Sequence, residues 1–247
     1  MASLALILCL VCVRCAAGAV PQPQPDDPSL LLPADQAVTP VQLVGRVRAD
    51  AAVRSGRCRT LLDVSSLNGR ISRGRTELTL EPCRTPLQTG TWIEAEGIMR
   101  RPQSAPHPAL PGDDLRLALK GSWSRLSADA IRVLRQDRTP LADARRTIAQ
   151  RFLAAAGPRE GGLLAALVLG GAQVPLPQSL RDGFRVAGLS HALAASGFHL
   201  SVLLGSTLAC TRGRSGWLRL AAGSGAMALF LALAGPQPSV VRAVLMG

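Results

Sequence analysis

Tyrosine is absent from this 247-residue chain, and all aromatic residues together make up 3% of it. Soluble cores lean on aromatic side chains for much of their buried area, so an aromatic-rich globular core is excluded. Metal-binding patterns are missing as well. Of the six cysteines, Cys9 and Cys12 form a C-x-x-C pair, but it stands alone in an apolar run without partners at ligand spacing. No metal and no cofactor is therefore expected. A G-x-S-x-G elbow is also lacking, which removes one common frame for nucleophilic catalysis and leaves no expectation of enzymatic activity. Lysine occurs once, so 27 of the 28 basic residues are arginine.

Apolar residues make up 47% of the chain and the mean hydropathy is +0.22. Leucine, alanine, valine and glycine supply nearly all of this, a composition suited to small-residue helix packing in lipid. The net charge is +12, with 17 basic against 10 acidic residues in 41–138 and six arginines against Asp182 in 161–247. Such a balance suits polyanionic partners, either nucleic acid or anionic lipid. A coding bias towards arginine is the competing account.

Organisation changes along the chain. Residues 1–20 contain the apolar run "ASLALILCLVCV" and an Ala17-Gly18-Ala19 cleavage pattern, so they read as a membrane anchor or a secretory signal. The segment 21–40 holds six prolines and reads as an extended linker. From 41 to 138, short alternating runs at 41–49, 58–67, 75–82, 91–99 and 128–135 predict five strands. They fit a small OB-like β-barrel, with another small barrel or sandwich as the alternative. Cys58 opens the second expected strand and Cys83 closes the third, which makes them a disulfide candidate in an oxidising compartment.

Residues 139–157 predict an amphipathic interfacial helix, started by Thr139 and Pro140 and stopped by Gly157-Pro158. "GGLLAALVLGGAQVPLP" (161–177) is too short and too rich in glycine and proline to span, and reads as re-entrant or interfacial. Residues 186–210 and 217–235 are two transmembrane candidates. The loop 211–216 carries Arg212 and Arg214, so the positive-inside rule makes it cytoplasmic and the barrel external. The expectation is an α+β membrane protein: an exported barrel followed by transmembrane helices, multi-pass in the cytoplasmic (inner) membrane. The closing "VVRAVLMG" begins a helix too short to cross, so the chain reads as part of something longer.

Within the first span, "GLSHALAASGFHLSVLLG" (188–205) places histidines and serines at membrane depth, where polar groups are costly and usually face a protein interior or a water-filled path. This stretch resembles the "GLSHLLAISGLHV" signature of the ComEC competence-protein family. "ALVLGGAQVPLPQSLRDGFRVAG" upstream and "PSVVRAVLM" downstream are similar to flanking blocks of that family, and "GTWIEAEGIMRRP" to its OB-like external domain. The resemblance spans about 41–247 and makes 158–247 the start of a polytopic competence-type domain. It implies a membrane component of DNA uptake in natural transformation, passing single-stranded DNA across the cytoplasmic membrane. Other competence proteins and a separate or missing metallo-β-lactamase-like domain are the implied partners, along with membrane lipid. In that reading Ser190, His191, Ser196 and His199 line the transport path, and Gly188, Gly197 and Gly205 permit close helix approach or a helix break. The competing view gives the histidines a packing role only. A structural or assembly membrane protein with an exported barrel, or a non-functional fragment, is the alternative for the whole chain.

Overall fold

The computed structural model describes residues 22–33, 38–84, 86–105, 107, 110, 112–170, 174, 176, 178–189, 197–235 and 240. The chain divides into two compact units, Met1–Asp137 and Arg138–Gly247.

In the first unit, β1 (Thr39–Val47), β2 (Ala52–Arg54), β3 (Arg57–Leu67), β4 (Arg70–Leu80), β5 (Thr91–Arg100) and β6 (Ser124–Gln136) form one sheet. The sequence alternation decides which way each strand faces. Leu43, Leu62, Ile93, Met99 and Leu126 point inward and are fully buried. β1 pairs antiparallel with β3 on one side and β5 on the other. β3 pairs with β4 and β5 with β6, and a parallel seam between β4 and β6 closes the ring. Five long strands thus make a closed, OB-like barrel; β2 only extends the edge of β3. The turns Ser55-Gly56 and Asn68-Gly69 have φ of 47°, 75°, 49° and 76°. Positive φ at both positions is the type I′ form, whose twist matches the flanking strands.

Several features of this unit depart from the sequence expectation, among them the extra strand β2 and the start of β6 at Ser124 rather than at 128. β4 starts at Arg70 rather than at 75. A short helix, α1 (Asp113–Ala118), lies between β5 and β6. Residues 22–33, expected as part of an extended linker, instead form a strap on the barrel. The Asp26 carbonyl accepts from the Arg73 N–H at 3.0 Å and from Ser72 Oγ at 2.8 Å. Leu32 is buried in the core cluster, and the Arg101 guanidinium donates to the carbonyls of Ser29, Leu32 and Pro33 at 2.8–3.2 Å. Asp27 is fully buried with its Oδ1 accepting from Ser29, and burial pushes its carboxyl above the ordinary value.

The second unit is helical: α2 (Pro140–Ala156), a π turn (Gly157–Gly161), α3 (Gly162–Leu169), α4 (Gln178–Val186), α5 (Gly197–Cys210) and α6 (Gly216–Ala234). By length and composition the run Pro140–Leu169 could cross a membrane as one helix. It does not run straight. Nine residues of helix would separate Gly161 from Phe152 by about 13 Å, whereas a Cβ on Gly161 would collide with the Phe152 carbonyl and lie 2.8 Å from Leu153 Cα. The chain turns back at Gly157, where φ is +80°, and Ala165, Ala166 and Leu169 share a buried cluster with Ile148, Ala149 and Phe152 of α2.

The expected span over 186–210 includes 190–196, which lie outside the described residues. α4 stops at Val186, where Gly188 takes φ +70°. The N–H of Leu189 bonds Phe184 O at 2.8 Å and that of Gly188 bonds Arg185 O at 3.1 Å, the Schellman ending. α5 is described over the 14 residues Gly197–Cys210. α6 has 19 residues and its length and composition are sufficient to cross. Ser215 caps its start by accepting from the Leu218 N–H at 3.4 Å, and Gly235 at φ +82° ends it.

Candidate nucleic-acid interface

The outer face of β3 and β4 is where alternation puts the barrel's charges. Arg57, Arg59, Leu61 and Asp63 face outward on β3, opposite Thr79, Glu77 and Arg75 of β4. Most of these charges are already engaged. Asp63 takes Arg75 at 3.2 Å and Arg48 at 3.4 Å, and Glu81 takes Arg57 at 2.6 Å.

Glu77 is the centre of a larger network. Its residue is 2% exposed. Arg116 of α1 donates to both carboxylate oxygens at 3.1 Å, and Arg125 of β6 donates Nε at 3.0 Å. Asp113 then bonds Arg125 at 2.9 Å and Arg116 at 3.2 Å. Burial is the largest single influence on Glu77 and pushes its carboxyl up. The Arg116 hydrogen bonds and the charges of Arg116, Arg59 and Arg125 together outweigh it and hold the group below the usual range. Asp113 is lowered chiefly by its hydrogen bond from Arg125, and Arg116 is raised chiefly by Glu77. This network lashes α1 across the β4–β6 seam and leaves little of its charge free for a ligand.

Open charge lies elsewhere on the barrel. Arg59, Arg70, Arg73, Arg84, Arg100 and Lys120 are exposed and form no ion pair among the described residues. On the β5–β6 face, Trp92 donates Nε1–H to Asp137 at 2.9 Å, and the Arg135 guanidinium lies 4.7 Å above the indole centroid. Arg46 reaches the same Asp137 at 3.1 Å. A nucleobase could stack on the outer face of the Arg135 guanidinium, whose side chain is 64% exposed, with the indole backing it. Cys58 and Cys83 are joined in a disulfide with a Cα–Cα separation of 5.1 Å, beside the β2–β3 turn. Among the described residues no group of three His, Cys, Asp or Glu could hold a metal ion.

Comparison with known proteins bears on the helical unit. The family described as Competence protein matches residues 167–247. The match covers about a third of the chain, at its C-terminal end. No curated protein matches the chain. Among solved structures, the mitochondrial single-stranded DNA binding protein Rim1 from S. cerevisiae is similar at 12% identity and a TM-score of 0.28. The likeness covers 41% of this chain and 100% of that one. Aspartyl tRNA synthetase from Entamoeba histolytica is similar at 11% identity and a TM-score of 0.29, over 76% of this chain and 36% of that one. The strand order given above, rather than either of these likenesses, is what describes the barrel.

Inside the matched segment, Gly188 is the residue that ends α4, so its positive φ serves a helix break. Ser190, His191 and Ser196 lie outside the described residues. Gly197 opens α5, and the backbone of His199 is in its first turn. Gly205 faces open space among the described residues, since a Cβ there would meet nothing within 4 Å. Gly223 of α6 faces α5, where a Cβ would make ordinary contact with the Leu204 side chain at 3.4 Å.

Proposed function

We propose that this chain is a membrane component of DNA uptake, with an external barrel and with helices that pass a single strand across the cytoplasmic membrane. The observation that carries the reading is the Competence protein match at 167–247, which contains the 188–205 signature. The apolar helix α6 and the unpaired barrel cations support it. Backbone phosphates need only such cations, and the Trp92–Arg135 stack offers one base a platform.

The test uses the full chain in phosphatidylcholine nanodiscs and a fluorescent oligo-dT. Anisotropy should report binding whose affinity falls linearly with salt on a log–log plot, with a slope near −0.7 for each phosphate neutralised. His199→Ala and Ser196→Ala in a transformable host should lower transformation at unchanged membrane abundance. Absence of salt-dependent binding would leave the structural or assembly reading in place. That reading is favoured by the internal pairing of Glu77, Asp63, Glu81 and Asp137 with their arginines.

A further inference from the structure

α5 and α6 form a hairpin with an open groove between them near the Thr211–Ser215 turn. Its volume is about 360 Å³, within the range of ligand-sized clefts. Leu204 and Leu208 of α5 line one wall, and Leu220 and Met227 of α6 the other, with Gly223 as floor. Arg219 lines it as well, so the groove carries a cation along an otherwise mostly hydrocarbon surface. Arg212 and Arg214 lie in the adjoining turn and are exposed. No Asp or Glu follows Asp182 in the sequence, and none of these three arginines has an ion-pair partner among the described residues. The N-terminus of α6, which favours negative charge, is at the same end.

We infer that this groove binds one anionic phospholipid, its phosphate held by Arg219 with Arg212 and Arg214 and an acyl chain lying against Leu204, Leu208, Gly223 and Met227. Charge complementarity selects that occupant: a neutral apolar helix would fill the hydrocarbon part and leave three arginines uncompensated. Basic pockets between membrane helices hold lipid headgroups for the same reason. The inference rests on the membrane part of the proposed function and is independent of DNA transport.

Photo-crosslinking of the full chain tests it. Nanodiscs of phosphatidylcholine would carry, at equal mole fraction, either phosphatidylglycerol or phosphatidylcholine with a diazirine in the acyl chain. Adducts within 204–227 should be at least roughly five-fold more frequent with phosphatidylglycerol, the weight of one arginine near an anionic surface. Arg219→Gln combined with Arg212→Gln and Arg214→Gln should bring the two lipids to parity, while Arg219→Lys alone retains the preference. Inorganic phosphate at 50 mM should leave the adducts unchanged; displacement would mean a phosphate site and overturn the lipid. Parity in the unaltered chain, the result expected if another protein segment fills the groove, overturns the proposal with the membrane reading intact. Absence of adducts from either lipid anywhere on α6 overturns the membrane reading itself.

Discussion

Replacing Glu77 with alanine strikes the barrel at a buried carboxylate that binds two arginines from two other elements. The substitution leaves both Arg125, whose side chain is 17% exposed, and Arg116 of α1 with Asp113 alone. Removing one partner of a fully buried ion pair costs ~3–5 kcal/mol. Two features reduce that figure. Arg116 is 35% exposed and can turn to water, and Arg125 keeps Asp113 at 2.9 Å. A loss of about 2 kcal/mol follows, which for a domain near 100 residues lowers Tm by roughly 8–16 °C. Differential scanning calorimetry of the full chain in detergent, following the barrel transition, measures it. A fall below about 2 °C would refute the reasoning. The network also fixes the acid response. Glu77 and Asp113 have folded values below their ordinary 4.5 and 3.8, so their contribution is complete above those values and is lost as pH falls through the folded ones. The unaltered barrel should therefore weaken below about pH 4.5, and Glu77→Gln should show a shallower loss over the same window.

Three further outcomes are expected. Mass spectrometry without reductant should recover the Cys58–Cys83 peptide pair; the bond closes a 25-residue separation, so its replacement by serines should cost ~3 kcal/mol on chain-entropy grounds. Gly97→Ala should lower the urea midpoint at unchanged m-value by an amount equivalent to ~1–3 kcal/mol, because a Cβ there would lie 2.7 Å from Ala128 Cα and collide with the Ser127 carbonyl of β6. Reporter fusions at Ser104 and Gly213 should give opposite sidedness, and the same side for both would overturn the external placement of the barrel.

Period-two alternation made the barrel legible wherever one face is buried and the other wet. β1, β3 and β5 each show it, and inward leucine, isoleucine and valine mark the core; β6 alternates in burial only over its first five residues and is largely exposed beyond Ala128, with Val133 at 57%. It failed at the start of β4, "RISRG", where Ile71 is 79% exposed and only Ser72 faces in. There the strand is held by its partner β3 and by the strap, both tertiary effects. Asn68-Gly69 was the local signal that could have extended it, as the strongest short hairpin pattern. The strap was illegible because proline content reports an extended backbone and says nothing of what that backbone lies on. Hydropathy did not mark the end of α4, because Gly188 is apolar-neutral in composition while its φ stops the helix. Of the site, the signature was visible as polar residues in an apolar run; the groove beside Arg219 needed two helices to be placed together.

The closure of the barrel also sets an order of assembly. Chains emerge from synthesis N-terminus first, yet β1 has both of its neighbours far downstream: Leu43 pairs with Leu67 and Gly45 with Ile93. The parallel seam must join Thr76 to Ser124, and β6 runs to Gln136. Pairings this distant are slow, because loop entropy is lost before the contacts form. Until Gln136 has emerged, β4 and β5 each present an unpaired edge, the form of a sheet most open to aggregation. The helical unit begins at Pro140, four residues later. The moment at which the barrel can first seal is thus the moment at which the first helix of the second unit arrives, and a chain halted just short of it is left with two open seams.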